Sequence, residues 1–161
     1  MNLIVAVDEN WGIGKDNKLL THISGDLKRF QSLTTGKVVI MGRSTLESLP
    51  DGKPLPNRCN IVLTTDKNYK VEGAIVINAI DNAFITLINC MNPSDVFVIG
   101  GESIYRQLLK YCDTAYVTKI KKKYDADRFM VNLQEHPDWT PVNIVDKGSY
   151  QFWTYQKVSL Y

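Results

Sequence analysis

Asp26 is the residue whose neighbours best suit proton chemistry. It lies in the stretch KLLTHISGDLKRF, with Leu27 and Phe30 close behind it. Ser24 is a favourable N-cap, which predicts a helix that begins at Gly25 and holds Asp26 in its first turn. An acid at that place usually complements the helix dipole from the solvent side. The alternative is a carboxylate that faces an apolar pocket, where burial raises its pKa and it can handle a proton.

Two glycine-containing turns could bind phosphate. FVIGGESIY, residues 97–105, is typical of a buried strand, two glycines and a helix start, whose backbone amides can approach a pyrophosphate. VVIMGRSTLESL, residues 38–49, ends a strand and continues into Ser44 and Thr45, which could cap a short helix. Arg43 then stands at the carboxyl end of a strand, where α/β folds bind ligands, and its planar fork suits a phosphate. Either turn could equally be a plain connection.

Three further stretches have both a functional and a plain explanation. Arg58, in PLPNRCNIVLTT, follows a proline-stiffened turn and could clamp a substrate carboxylate or face water at the start of a strand. WGIGKDNKLL, residues 11–20, is a glycine-punctuated loop that could act as a mobile lid or simply join two elements. The basic run at residues 119–123 lacks interleaved aromatic residues, so a solvated strand end is favoured over nucleic-acid binding.

The composition restricts the class of protein. A chain of 161 residues with 44% hydrophobic residues, 22% charged residues and a net charge of +2 indicates one ordinary globular domain, predicted over residues 1–161. No apolar run is long enough for a membrane span, and Asp8 comes too early for a signal peptide, so we expect a cytoplasmic location. Cys59, Cys90 and Cys112 lie in apolar segments, which favours buried thiols. With two histidines in the chain, we expect no metal centre.

Short β-branched apolar runs alternate with helical patterns along the chain. Near-continuous apolar strands suit a parallel sheet buried on both faces, and the alternation indicates an α/β fold. Residues 139–158 predict an antiparallel hairpin around a turn at residues 147–149. The predicted strands are residues 3–7, 37–42, 60–65, 74–77 and 95–100. The predicted helices are residues 25–33, 45–49, 81–91 and 102–111.

The order and spacing of these motifs are more specific than any one of them. IVAV, GIGKDNKL, an Asp that opens a helix, VIMGRSTLES, PLPNRCNIVL, FVIGGESIY and AYVTKI together resemble dihydrofolate reductase over nearly the whole chain. The resemblance implies a single α/β domain with an eight-stranded, mostly parallel sheet, an antiparallel C-terminal hairpin and about four flanking helices. It also implies NADPH-dependent reduction of 7,8-dihydrofolate and binding of antifolates. We expect a monomer that binds neither nucleic acid nor a membrane.

The resemblance also implies roles for particular residues. Asp26 matches the family's acid in the pteridine pocket, and Thr118 matches the hydroxyl that bonds this acid. Arg58 matches the clamp on the α-carboxylate of the folate glutamate, and Asp127 an acid that ties the lid loop. The other implied substrate-binding residues are Ile4 and Ile99, through their backbone carbonyls, and Leu27, Phe30 and Leu49. The implied NADPH-binding residues are Ala6, Ile13, Gly14, Gly42, Arg43, Ser44, Thr45, Thr64, Thr65, Gly100, Gly101, Glu102, Ser103 and Ile104.

The chain departs from the family pattern at two places. After Asp127, FMV stands where the family has Phe-Pro. Just before the helix of Asp26, Leu20 and Thr21 stand where the family carries Pro-Trp. That Trp holds an ordered water near the acid, so Thr21 predicts more solvent there and an Asp26 pKa nearer the unperturbed value of about 3.9. Two other functions remain open at this point. One is a reductase for a pyrimidine intermediate of riboflavin synthesis. Asp26 with Arg58 argues against it, because that substrate has no glutamate tail. The other is a nucleotide-binding relative without catalysis.

Overall fold

An eight-stranded sheet with helices packed on both faces forms the body of the computed structural model, which describes residues 1–158. The strands are β1 (Asn2–Val7), β2 (Gly12–Lys15), β3 (Lys18–Leu19), β4 (Val38–Gly42), β5 (Cys59–Leu63), β6 (Ala74–Ile77), β7 (Val96–Gly100), β8 (Thr114–Ile120), β9 (Arg128–Phe129), β10 (Trp139–Asp146) and β11 (Tyr150–Lys157). The helices are α1 (Ser24–Thr34), α2 (Arg43–Ser48), α3 (Asn82–Asn89) and α4 (Glu102–Leu108). Short 3-10 turns occupy Pro50–Gly52, Pro93–Asp95 and Leu109–Tyr111.

The order of strands in the large sheet is β10-β11-β8-β1-β7-β4-β5-β6. The pairs from β8 to β6 are parallel, whereas β11 runs antiparallel to both β8 and β10. The α/β fold and the C-terminal hairpin are therefore confirmed, with strand bounds within two residues of the predicted ones. The predicted domain over residues 1–161 includes a last stretch, 159–161, that lies outside the described residues.

Alternation along the strands divides the core between the two faces of the sheet. On β1, Leu3, Val5 and Val7 belong to the larger apolar cluster, which also contains side chains of α3 and α4. Ile4 points to the other face and joins the smaller cluster, against which Phe30 of α1 packs. Successive side chains of a strand point to opposite faces of the sheet, so the cluster that a helix joins shows which face it covers. Consequently α1 and Asp26 lie over the face of the smaller cluster.

The helix that carries Asp26 begins one residue earlier than predicted. Ser24 already has helical geometry, the N-cap is Ile23 in extended conformation, and no side chain caps the helix. The prediction of Ser24 as N-cap was therefore wrong, because the chain turns into the helix before reaching it. Asp26 nevertheless remains in the first turn.

A similar correction applies to α2. Its N-cap is Gly42, in extended conformation, and the helix starts at Arg43. Ser44 and Thr45 lie inside the helix and no side chain caps it, so the capping role predicted for them was wrong. Arg43 itself directly follows the last residue of β4, as predicted.

Residues 12–19 form regular structure where the sequence suggested a loop. β2 pairs with β3 on one side and with β9 on the other, giving a small antiparallel sheet. Asp16 and Asn17, which join β2 to β3, both have positive φ, of 51° and 60°. Two such residues form the tight turn whose twist suits a β-hairpin, and Asp and Asn tolerate it better than most. The Asp-Asn pair was thus the signal for a hairpin here.

The prediction of buried thiols was correct for one cysteine only. Cys112 is 1% exposed and its Sγ lies 3.4 Å from the Leu108 carbonyl oxygen, to which it donates. Cys59 and Cys90 are exposed, at the start of β5 and just after α3, where strand and helix ends reach the surface. Within residues 1–158, no helix combines the length and the apolar character needed to cross a membrane.

Candidate active site

The Asp26 carboxylate is bonded to the central sheet through Thr118. The Thr118 hydroxyl donates to Asp26 Oδ1 at 2.5 Å, and Thr118 is 3% exposed. Helix α1 can approach the sheet closely because residue 25 is a glycine: a Cβ on Gly25 would overlap the Tyr150 hydroxyl of β11. The sequence placed Asp26 and Thr118 together only by resemblance, and the structure brings them into contact.

Opposing influences act on the pKa of Asp26. Burial, the largest of them, raises it above its usual range, because water that would stabilise the charged form is excluded. The hydrogen bond from Thr118 and the positive charge of Arg29 both lower it. The net direction is upward, as the predicted apolar surroundings require.

Arg29 is a neighbour of Asp26 that sequence reasoning missed. Its guanidinium carbon lies 4.2 Å from the ring centroid of Phe152 and 5.5 Å from that of Tyr116. Phe152 pairs with Thr118 across β11 and β8, so both rings and the threonine share one face of the sheet. The spacing of three residues between Asp26 and Arg29, which puts both on one side of a helix, was the available signal.

The predicted apolar walls differ in their burial. Phe30, Leu49 and Ile99 are partly buried and pack against the smaller cluster, with Ile4 in its core. Leu27 is 46% exposed, so in this structure it leaves one side of the site facing solvent. An exposed apolar side chain beside a carboxylate is suited to contact a flat aromatic ligand.

Arg58 is held at the far end of α1. Its Nε donates to the Thr34 hydroxyl at 3.1 Å and its Nη1 to the Pro56 carbonyl at 3.1 Å, while its guanidinium lies 5.9 Å from the Phe30 ring centroid. Burial lowers the pKa of this guanidinium. It forms no ion pair within residues 1–158. Its positive charge is therefore positioned by neutral groups, an arrangement that can accept a carboxylate from outside.

Two adjoining cavities, of about 410 Å³ and about 140 Å³, lie at the carboxyl ends of β1, β4 and β7. Every residue predicted to bind the cofactor lines at least one of them. The larger is lined by Gly42, Arg43, Ser44, Thr64, Thr65, Gly101, Glu102, Ser103 and Ile104, together with other residues. The smaller is lined by Ala6, Ile13, Gly14, Ser44, Thr45, Ile99, Gly100, Gly101 and Glu102, again among others. Asp26, Thr118, Leu27, Phe30, Leu49 and Arg58 line neither.

Arg43 is already engaged by two carboxylates. Its Nε lies 2.8 Å from Glu47 Oε1 and its Nη1 lies 3.2 Å from Asp66 Oδ2, while its guanidinium stacks at 4.3 Å over the Tyr69 ring centroid. The hydrogen bond to Glu47 raises the pKa of Arg43. These contacts fix the plane of the guanidinium at the cavity wall, although they also offset part of its charge.

Tyr105 is a second residue that sequence reasoning missed. Its hydroxyl donates to the Ile4 carbonyl at 2.7 Å, and burial, followed by the charge of Asp26, raises its pKa. A Cβ on Gly100, which has φ 125°, would lie 3.3 Å from this hydroxyl. The Gly100-Gly101 peptide is cis. The predicted acceptor Ile4 thus already accepts one hydrogen bond, which leaves a carbonyl oxygen one further lone pair.

Asp127 contacts the hairpin of β2 and β3, as its predicted role requires. Its Oδ2 accepts from the Asp16 amide at 3.2 Å, and its own amide donates to the Gly14 carbonyl at 2.9 Å. Gly14 and Ile13 line the smaller cavity, so these bonds act on the segment that borders it.

Comparison with known proteins gives consistent results. A family model described as dihydrofolate reductase matches residues 1–156. Among curated relatives, the dihydrofolate reductase of Bacillus subtilis (strain 168) is 37% identical over 165 residues, covering 98% of this chain and 94% of the relative. That of Staphylococcus haemolyticus is 38% identical over 168 residues, covering 98% and 96%.

A solved structure is similar to the whole architecture. It is a dihydrofolate reductase from Enterococcus faecalis complexed with NADP(H) and RAB-propyl, with a TM-score of 0.81 and 31% sequence identity. The similarity covers 97% of this chain and 95% of that one.

Proposed function

Because this chain belongs to the dihydrofolate reductase family, we propose that it reduces 7,8-dihydrofolate to 5,6,7,8-tetrahydrofolate with NADPH. NADPH, when bound, supplies the hydride for C6 of the substrate. One observation carries the proposal. Thr118, which holds Asp26, pairs in register with Ala6, and Ala6 lines the smaller of the two cavities. The acid therefore lies beside the smaller cavity, which adjoins the larger one at the carboxyl ends of the strands.

Asp26 is the residue proposed to support the proton step. Reduction at C6 leaves N5 to gain one proton, so the substrate ends with one hydride and one proton more than it began with. Asp26 is the carboxylate bonded to Thr118 on the same face as Phe30 and Leu49. Since burial raises its pKa, it holds a proton at higher pH than an exposed aspartate does. Asp26 orients the pterin and stabilises the substrate protonated at N5, directly or through water.

The remaining substrate contacts follow from the groups around Asp26. The Ile4 and Ile99 carbonyls accept from the amino group of the pterin, and Leu27, Phe30 and Leu49 contact its ring and the aminobenzoyl group. Arg58, which has only neutral partners within residues 1–158, pairs with the α-carboxylate of the glutamate tail. The same acid would hold the protonated diaminopyrimidine ring of antifolates in a charge-assisted pair.

The residues lining the two cavities fit a phosphorylated dinucleotide. Ser44, Thr64 and Thr65 offer hydroxyl donors, and Arg43 offers a cation beside them, where a ribose 2′-phosphate is expected. Glycine at position 42 lets β4 pack closely against α4, because a Cβ there would lie 3.0 Å from the Ile104 side chain. Ala6, Ile13 and Gly14 border the smaller cavity, where the nicotinamide is expected.

The proposed function is tested with purified protein, NADPH and dihydrofolate, by following the loss of the cofactor's near-ultraviolet absorbance. We expect oxidation of NADPH only when dihydrofolate is present, with tetrahydrofolate as product. Oxidation with the riboflavin-pathway pyrimidine instead would identify the other reductase. Binding of NADPH without turnover of either substrate would identify a relative that has lost catalysis.

A further inference from the structure

The charged side chains that line the larger cavity differ in whether they can bind an anionic ligand. Three charged side chains line it: Arg43, Glu102 and Arg128. Arg43 already contacts Glu47 and Asp66, so part of its charge is offset. Glu102 is an acid and would repel a phosphate. Arg128 is the remaining cation.

The glycine turn before α4 combines backbone amides with an acid. The sequence predicts that the amides at Gly100–Ile104 bind a pyrophosphate, and α4, which is seven residues long, carries Glu102 in its first turn. The Glu102 carboxylate accepts from the Phe129 amide at 2.6 Å, and its other oxygen lies 3.8 Å from Arg106 Nε. An anionic ligand at this turn therefore needs a cation from another element.

Arg128 lies where the two cavities meet. Four residues line both of them: Ser44, Gly101, Glu102 and Arg128. Arg128 is the only cation of the four. In a dinucleotide the pyrophosphate joins the two nucleosides, so the residues shared by both cavities are those placed to reach it.

The guanidinium of Arg128 has donors to spare. Within residues 1–158 it makes one hydrogen bond, from Nη1 to the Asp127 carbonyl at 3.1 Å, and no ion pair. Its backbone is fixed by pairing with Gly14 of β2 and by the neighbouring bond from Phe129 to Glu102. The small sheet thus presents a planar, permanently charged fork that can bond two phosphate oxygens at once.

We propose that Arg128 binds the pyrophosphate of the dinucleotide cofactor, reaching it from β9 across the junction of the two cavities. The identity of the ligand as NADPH rests on the proposed function. The contact would join the small sheet, which borders the smaller cavity, to the cofactor. It assigns the pyrophosphate contact to Arg128, and leaves Arg43 to discriminate the 2′-phosphate.

The test measures dissociation constants of NADPH and NADH by quenching of tryptophan fluorescence, without turnover. The variants are Arg128→Gln, Arg128→Lys and Arg43→Gln, with Lys123→Gln, an exposed lysine outside both cavities, as control. Because NADPH and NADH share the pyrophosphate, Arg128→Gln should weaken both by the same factor, roughly tenfold. It should also reduce the salt dependence of binding. Arg128→Lys should retain part of the affinity, and Arg43→Gln should weaken NADPH more than NADH.

Each outcome decides one of the two proposals. Wild-type protein that oxidises NADPH with dihydrofolate, together with an Arg128→Gln variant of unchanged affinity, would overturn the role of Arg128 alone. Weakening of NADPH but not of NADH would also overturn it, since the residue would then contact the 2′-phosphate. Wild-type protein that binds neither dinucleotide would overturn both. Circular dichroism and the unfolding midpoint of each variant verify the fold.

Discussion

At the scale of single residues, the pKa of Asp26 is set by burial and by two neighbouring groups on two elements. Burial raises it, the Thr118 hydroxyl of β8 lowers it, and Arg29, one turn along α1, also lowers it. The sequence identified Asp26 from its apolar neighbours and Thr118 by resemblance. It missed Arg29, because the contacts that fix this guanidinium come from Tyr116 and from the distant Phe152.

Asp26→Asn tests the proton role directly. Asn keeps the size of the side chain but can neither carry the charge nor supply a proton, so turnover at neutral pH should fall by about a hundredfold or more. NADPH affinity should stay near that of the wild type. Part of the activity should return at acid pH, where solvent protonates the substrate. Glu135→Gln, an exposed acid elsewhere, is the matched control, and wild-type turnover of Asp26→Asn at neutral pH would contradict the role.

Arg29→Gln tests whether the neighbouring cation sets the pKa of Asp26. Since the charge of Arg29 lowers that pKa, its removal should raise it and keep the acid protonated to higher pH. The falling limb of the pH–rate profile should therefore move to higher pH. Arg29→Lys keeps the charge and should move it less. A limb that stays in place in Arg29→Gln would show that this charge does not reach the acid.

Thr21→Trp approaches the same pKa through solvent. Thr21 is half-buried just before α1, where the family carries a tryptophan. A large ring at this position should exclude water and raise the pKa of Asp26, which again moves the falling limb upward. The unfolding midpoint must be measured beside the pH profile, because overpacking would destabilise the variant. An unchanged profile in a folded variant would mean that position 21 does not tune the acid.

At the scale of elements, the sequence predicted strands from apolar runs but missed the small sheet. β2, β3 and β9 are two to four residues long and contain glycine, lysine and arginine, so they carry no apolar pattern. The pairing of β2 with β9 joins residues more than a hundred positions apart, such as Gly14 with Arg128. A local pattern cannot report such a contact. Arg128 was missed for the same reason.

Asp127→Ala should loosen the hairpin of β2 and β3. The substitution removes the acceptor for the Asp16 amide, so this amide should exchange with deuterium severalfold faster than in the wild type. Asp125→Ala removes a carboxylate two residues away whose one ion pair within residues 1–158 is with the Lys15 side chain, at 3.5 Å, and it serves as control. Equal exchange rates at Asp16 in the wild type and Asp127→Ala would mean that the hairpin is held by its own turn.

At the scale of the whole molecule, the two faces of the sheet have different tasks. The face of the smaller cluster carries Asp26, Thr118 and Arg29, and it leaves Leu27 exposed. The opposite face buries the larger cluster, including Tyr155 at 0% exposure. Because successive side chains of a strand point to opposite faces, the position of a residue along its strand decides which face its side chain joins. The sequence showed that the strands were apolar, but their order in the sheet, which determines the neighbours, came only from the structure.

Thiol reactivity reports the integrity of the large apolar cluster. Cys112 belongs to that cluster, and burial raises its pKa to about 12, so it has almost no thiolate at neutral pH. Cys59 and Cys90 are exposed. A disulfide reagent at mildly alkaline pH should therefore modify two thiols rapidly and the third only as fast as the protein unfolds.

Cys112→Ala should abolish the slow phase and leave both fast ones. Adding NADPH should slow the third thiol, because a ligand of the native state reduces the unfolded fraction. Three rapid thiols in native protein would show that the core around Cys112 opens without global unfolding.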